Sequence, residues 1–110
     1  MFKYCSLYSG SSGNSFFVQS DTTNLIIDAG VSLKKITTAL DEININGKDI
    51  DAILVTHDHI DHTKSLATLS NKFNIPVYAN KKTWKAISNI ADKISVSMYI
   101  LSLKKHVCIL

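Results

Sequence analysis

Apolar and polar positions alternate along the first quarter of the chain with a period of two, which is typical of β-strands. The pattern predicts strands over Phe2–Tyr8, Ser15–Gln19 and Leu25–Asp28. A polar loop, Ser9–Asn14, separates the first two strands, and the turn Asp21–Asn24 separates the second from the third. We therefore expect the chain to open with antiparallel hairpins.

After Gly30 the apolar positions recur at helical spacing, and two short strands interrupt the helices. Ser32 is a candidate N-cap for a first helix. The strand Ala52–Val55 is expected to be buried on both faces, and the strand Ile75–Ala79 starts where its proline is tolerated. Two further helices are predicted, one carrying Leu66, Leu69 and Phe73 and one carrying Trp84, Ile87, Ile90 and Ile94. The order β-β-β-α-β-α-β-α predicts an α/β (α+β) protein with helices packed on a sheet.

The pattern weakens from about residue 95. Ser95–Leu103 could form a strand, Lys104 and Lys105 a turn, and His106–Leu110 another strand that stops within the element. We expect residues 1–94 to form one structural unit and residues 95–110 a divergent or truncated tail.

The 110 residues, 45% of them apolar, are enough for one modest core. No stretch approaches about 18 consecutive apolar residues, and the N-terminus lacks the apolar region of a signal peptide. Cys5 and Cys108 lie far apart and are expected to be free thiols. Together these features predict a cytoplasmic protein without a membrane partner.

The formal net charge of +3 conceals an asymmetry. Residues 1–62 contain four lysines and eight acidic residues, whereas residues 63–110 contain eight lysines and one acidic residue. A lysine-rich half can attract a polyanion such as nucleic acid. An ordinary solvated surface is the alternative, and the absence of arginine removes the bidentate phosphate clamp.

Three of the four histidines and an aspartate lie within six positions, at His57, His59, Asp61 and His62. His57 and His59 are two residues apart and project to the same side of an extended loop. Asp61 and His62 follow where a helix is expected to begin. Imidazole nitrogens and carboxylate oxygens suit Zn²⁺, and Mn²⁺ is also acceptable. A polar surface loop is the alternative, but the cluster follows a buried strand at the end of a sheet, where active sites gather.

The segment Thr56–His62 resembles the H-x-H-x-D-H signature of the metallo-β-lactamase superfamily, and residues 25–30 resemble the strand that precedes it there. The resemblance implies an αββα sandwich of which this chain supplies the N-terminal half. It implies a two-zinc site in the complete domain, with His57 and His59 on the first metal and Asp61 and His62 on the second. Asp61 would also orient or deprotonate the attacking water.

The roles of two further residues, Asp28 and His106, have alternative interpretations. The resemblance implies that Asp28 supports the histidine loop, while a simple strand-end turn is the alternative. The remaining ligands of the family come from its second half, and His106 is the only histidine left to match one.

The loop Ser9–Ser15 resembles that of the YycJ-like (WalJ) branch, which implies exonuclease activity on nucleic acid. Its amides could form an anion-binding nest, and a plain hairpin loop is the alternative. Thioesters and lactones remain possible substrates, since the ligands are shared across the superfamily. A different class of function is an inactive half-domain that self-associates through an uncovered apolar face carrying Ile26, Ile53 and Val55.

Overall fold

The computed structural model describes residues 2–101 as one mixed sheet with helices packed on it. Within this range the strands are β1 (Lys3–Tyr8), β2 (Ser15–Gln19), β3 (Asn24–Ile27), β4 (Ala52–Val55), β5 (Val77–Asn80) and β6 (Met98–Leu101). The helices are α1 (Leu33–Glu42), α2 (Ile60–Thr63), α3 (Leu66–Phe73), α4 (Lys81–Ala86) and α5 (Ser88–Ala91), and a 3-10 turn spans Gly47–Asp49. The predicted α/β class is confirmed.

The strands lie in the sheet in the same order as in the sequence, from β1 to β6. β1, β2 and β3 pair antiparallel, as the hairpin connections predict, and the remaining pairs are parallel. Parallel neighbours require crossover connections, which the helical segments provide. Consequently the carboxyl ends of β3 and β4 lie side by side, with Ile27 in register with Leu54.

Side-chain caps explain several helix ends. Ser32 accepts a hydrogen bond from Lys35 N and is the predicted N-cap of α1. Asn80 caps α4 by accepting a 2.7 Å hydrogen bond from Thr83 N. α3 ends at Asn74, whose left-handed φ of 57° is a common way to terminate a helix.

One continuous core lies between the helices and one face of the sheet. A row of register partners crosses β2 to β5 on this face, and all of its members are buried: Phe17, Ile26, Ile53 and Val77. Buried residues from the helices join the same cluster: Ile36, Leu40, Leu66, Leu69 and Ile87. This packing fixes the helices relative to the strand ends.

The opposite face of the sheet, here called the outer face, is also apolar but stays partly open. Its row of register partners consists of Phe16, Ile27, Leu54, Tyr78 and Tyr99, none of which is buried among the residues that the structure describes. Tyr78 and Tyr99 stack with ring centres 4.8 Å apart. The outer face is therefore a continuous apolar surface.

The prediction that Ile26, Ile53 and Val55 are uncovered is wrong. These side chains are 0%, 0% and 4% exposed, because they point toward the helices. Side-chain direction alternates along a strand, so the uncovered positions are their neighbours, such as Ile27 and Leu54. β4 is accordingly not buried on both faces.

The third predicted helix is divided in two. α4 ends at Ala86 and α5 begins at Ser88, with Ile87 between them at a φ of −105°. Trp84 is half-buried, and its indole N–H donates to the carbonyl oxygen of Tyr99 in β6 at 2.8 Å. The predicted strand at Ile75 begins two residues later, at Val77.

β6 lies inside the predicted strand Ser95–Leu103. The turn at Lys104 and Lys105, the strand His106–Leu110 and the thiol of Cys108 lie outside the described residues. The division of the chain at residue 94 stays a prediction. Cys5 is a free, half-buried thiol. Among the described residues, each helix falls short of the length and apolarity that a membrane crossing requires.

Candidate metal centre

The histidine-rich segment, Thr56–His62, begins directly after β4, at the carboxyl end of that strand. His59 is extended and immediately precedes α2, so Asp61 and His62 lie in the first turn of that helix. The carbonyl oxygen of His59 accepts hydrogen bonds from His62 N at 2.9 Å and from the Thr63 hydroxyl at 3.1 Å. The predicted change from extended loop to helix is confirmed.

Asp28, directly after β3, holds this segment from the neighbouring strand. It is 1% exposed and has a φ of 64°, a turn conformation that aspartate tolerates better than most residues. Its Oδ1 accepts from the backbone N–H of Thr56 at 2.7 Å. Its Oδ2 accepts from the Thr56 hydroxyl and lies 2.7 Å from His62 Nδ1. A buried carboxylate needs such donors, and these donors tie β3 to both ends of the segment.

The contact with Asp28 determines which nitrogen of His62 is available. Both Asp28 oxygens already accept hydrogen bonds from Thr56, so His62 Nδ1 must be the donor in its own contact. His62 Nε2 then carries a free lone pair and lies 3.6 Å from Asp61 Oδ2. Two ligands bound to one zinc at about 2.0–2.2 Å lie roughly 3.3–3.6 Å apart at a tetrahedral angle. These two atoms therefore fit a shared metal ion.

His57 lies beside His62, whereas His59 lies farther away. The ring centres of His57 and His62 are 4.5 Å apart, and those of His57 and His59 are 6.4 Å apart. Both His57 and His59 are exposed. The structure thus places His57 and Asp61 next to His62, with His59 farther out. The assignment of the four residues as metal ligands, and their division between two metals, stays a prediction.

Among the described residues, Asp28, His57 and His62 offer ligand-type atoms within 4.8 Å of one another. Asp28 is nevertheless unsuited to binding a metal here, because both of its oxygens are already hydrogen-bonded and it meets His62 through Nδ1. It makes the strand-end turn and also orients a histidine. Both sequence-based interpretations of Asp28 therefore apply.

Asn14, which the sequence did not indicate as a site residue, lies in the loop Ser9–Ser15 and contacts Asp61 through its backbone and its side chain. Asn14 N donates to the Asp61 carbonyl oxygen at 2.8 Å, and Asn14 Nδ2 lies 3.3 Å from Asp61 Oδ2. Gly30 N donates in turn to the Asn14 carbonyl oxygen at 2.9 Å. A Cβ atom at Gly30 would lie 1.6 Å from the Asp61 carbonyl oxygen, so only glycine allows this approach.

Three backbone amides of the loop Ser9–Ser15, which was predicted as a possible anion-binding nest, already donate hydrogen bonds within the protein. The amides of Gly10, Gly13 and Asn14 donate to Asn14 Oδ1, the Gly10 carbonyl oxygen and the Asp61 carbonyl oxygen. These three amides are therefore committed within the protein, and the loop fastens the histidine-rich segment. The sequence features that could have indicated this role of Asn14 are its position directly after Gly13 and the presence of Gly30 shortly after β3.

A pocket of about 250 Å³ opens beside His57. One wall is the histidine-rich segment and the other is the beginning of α4; its lining is Thr56, His57, Asp58, Asn80, Lys82, Thr83 and Ala86. Lys82 is the cation in this lining, and Asp58 is the acid. The pocket can receive a polar group next to the candidate metal ligands.

Comparison with known proteins gives the family and the fold of this chain. A family model described as the metallo-β-lactamase superfamily matches residues 8–101. The chain is 51% identical over 88 residues to exodeoxyribonuclease WalJ of Streptococcus pneumoniae and 43% identical over 88 residues to exodeoxyribonuclease YycJ of Bacillus anthracis. Each match covers 80% of this chain and 33% of the relative, so the chain spans about a third of these relatives' length.

A solved metallo-β-lactamase from Cronobacter sakazakii has a similar fold, with a TM-score of 0.73 and 18% identity. The match covers 92% of this chain and 45% of that structure. At this identity the similarity concerns the fold, and it supports the architecture expected from the sequence.

Replacing Asp28 with asparagine should weaken metal binding about 10–100-fold, the usual effect of losing a partner that orients a ligand. The amide cannot accept on both of its terminal atoms, so either the Thr56 backbone N–H or both the Thr56 hydroxyl and His62 Nδ1 lose their acceptor. Competition with a chromophoric zinc chelator measures the affinity.

The matched control is Asp51→Asn, which alters a carboxylate that accepts from the backbone amide of Asn24 at 2.8 Å. Asp51 directly precedes β4, at the end of that strand opposite to the histidines. Equal zinc affinity in the two variants would contradict the role given to Asp28.

Proposed function

The chain belongs to the metallo-β-lactamase superfamily, and on that premise we propose that it is the metal-binding part of a phosphodiesterase that acts on nucleic acid. The observation that carries the proposal is that Asp61 Oδ2 and His62 Nε2 lie at a distance that fits a shared metal ion, with the ring of His57 next to His62. A pocket containing Lys82 lies beside His57. The names of the two bacterial exodeoxyribonuclease relatives support the substrate class. Because the chain covers 33% of each relative, the activity is proposed for the complete protein.

The proposed metal ligands are His57, His59, Asp61 and His62, and the proposed metal is Zn²⁺, with Mn²⁺ as the alternative. Neutral imidazoles and a carboxylate form a donor set that suits zinc. A bound zinc ion supplies Lewis acidity that lowers the pKa of a water molecule and stabilises charge on a phosphoryl group.

The protein's own groups have distinct proposed roles. Asp61 would hold the metal through Oδ2, which Asn14 also contacts, and its other oxygen would orient a water molecule and accept its proton. Lys82 binds a phosphate oxygen of the strand in the pocket beside His57. Asp58 in the same lining limits how closely a second phosphate can approach.

A second candidate function rests on the outer face. This surface carries aromatic and aliphatic side chains that the described residues leave partly open, including Leu54 and Tyr99. Burial of some hundreds of Å² at roughly 25 cal/mol per Å² yields several kcal/mol before the cost of association is subtracted. We propose that the 110-residue chain alone self-associates through this face and has little activity.

Replacing both His57 and His59 with alanine should abolish tight zinc binding, because two of the four proposed ligands are removed. Inductively coupled plasma mass spectrometry of the purified chain gives the zinc content. The double variant Lys34→Ala and Lys35→Ala, at two exposed positions of α1, serves as the control. Zinc content in the double variant equal to that of the unchanged chain would sink the ligand assignment.

The complete protein loaded with Zn²⁺ or Mn²⁺ should shorten DNA or RNA, and Lys82→Ala should raise KM several-fold while leaving the metal content unchanged. Loss of one phosphate contact should also reduce the dependence of binding on salt concentration, by roughly one unit of the logarithmic slope. Lys85→Ala is the matched control, since Lys85 is an exposed lysine of α4 that does not line the pocket. A fully metal-loaded protein that hydrolyses thioesters or lactones but leaves every nucleic acid intact would refute the proposal.

Sedimentation at micromolar concentration should give a dimer or larger species for the 110-residue chain. Leu54→Lys, which places a charge in the middle of the outer face, should shift it toward the monomer. Thr38→Lys adds the same charge on the exposed surface of α1 and should not. A monomeric unchanged chain would contradict self-association.

A further inference from the structure

We propose that Thr56 is a positioning residue that fixes the proton of His57 on Nδ1 and so presents His57 Nε2 to the metal. The proposal rests on the ligand role suggested for His57 above. Thr56 itself offers nothing to the metal in this scheme. It acts by linking His57 to the buried carboxylate of Asp28.

The Thr56 hydroxyl contacts two partners, Asp28 Oδ2 and, at 2.8 Å, His57 Nδ1. A hydroxyl has one proton to donate and two lone pairs with which to accept. It can therefore donate to one of these partners and must accept from the other.

The carboxylate is the partner that receives the hydroxyl proton. Asp28 is 1% exposed and accepts hydrogen bonds at both of its oxygens, from Thr56 N and from the Thr56 hydroxyl. A carboxylate only accepts, so the hydroxyl is the donor in their contact. A hydrogen bond to a carboxylate is also stronger than one to a neutral imidazole. The Thr56 oxygen is consequently left as an acceptor toward His57.

His57 must then supply the proton for the remaining contact. In the neutral ring one nitrogen carries a hydrogen and the other a lone pair, so a proton on Nδ1 leaves Nε2 free to bind a metal. His62 meets Asp28 directly through Nδ1 and has the same arrangement. One carboxylate thus orients two histidines, His62 by direct contact and His57 through Thr56.

Two substitutions separate the hydroxyl from the rest of the side chain. Thr56→Val keeps the shape and removes the hydroxyl, whereas Thr56→Ser keeps the hydroxyl and removes the methyl group. In Thr56→Val the carboxylate of Asp28 keeps the backbone N–H of residue 56 and His62 Nδ1 as donors, so both variants are expected to fold. Long-range nitrogen–proton NMR correlations of the imidazole rings in the metal-free chain, recorded in alkaline buffer, report which nitrogen is protonated.

We expect His57 to carry its proton on Nδ1 in the unchanged chain and in Thr56→Ser, and to shift toward the Nε2-protonated form in Thr56→Val. His62 should stay protonated on Nδ1 in all three proteins, which serves as the internal control. Zinc affinity should fall about 10–100-fold in Thr56→Val and stay close to that of the unchanged chain in Thr56→Ser.

Protonation of His57 on Nε2 in the unchanged chain overturns the proposal. So does a Thr56→Val protein with unchanged ring protonation and zinc affinity, or a Thr56→Ser protein that behaves like Thr56→Val. If no variant binds zinc, the ligand assignment fails, while the NMR correlations still decide the role of Thr56.

Discussion

The buried carboxylate of Asp28 is the group on which the candidate site depends. A charged or polar group with almost no exposure is costly unless donors surround it, and here the donors come from Thr56 and His62. The backbone reinforces this arrangement, because Asp28 N donates to the Leu54 carbonyl oxygen at 2.8 Å and so extends the pairing of β3 with β4. The parallel pairing thus brings the carboxylate to the start of the histidine-rich segment.

Main-chain hydrogen bonds reinforce the contacts around this carboxylate. Ala29 N donates to the His62 carbonyl oxygen at 2.9 Å, and Ser65 N donates to the Ala29 carbonyl oxygen at 2.9 Å. The first turns of α2 and α3 are therefore held against the end of β3. Ligands supported in this way lose little freedom when a metal binds, which favours both affinity and a defined geometry.

The sequence was sufficient to predict features that depend on local patterns. The three opening strands, the N-cap at Ser32 and the metal-type cluster at residues 57–62 all follow from short spacings. The contact between Asn14 and Asp61 spans 47 positions, and no local pattern reports it. The division of the third helix at Ile87 also escaped, because the apolar spacing of a continuous helix persists across the break. The outer face was assigned to the wrong residues because a strand that is apolar at every position hides which side the helices cover.

The equal order of strands in sequence and in space has a consequence for biosynthesis. Each strand pairs with the strand that precedes it in the sequence, so the sheet can form strand by strand during translation. The residues that make the contacts around Asp28 lie between Asn14 and Ser65. The histidine-rich segment can therefore take shape while most of the lysine-rich residues 63–110 are still being translated.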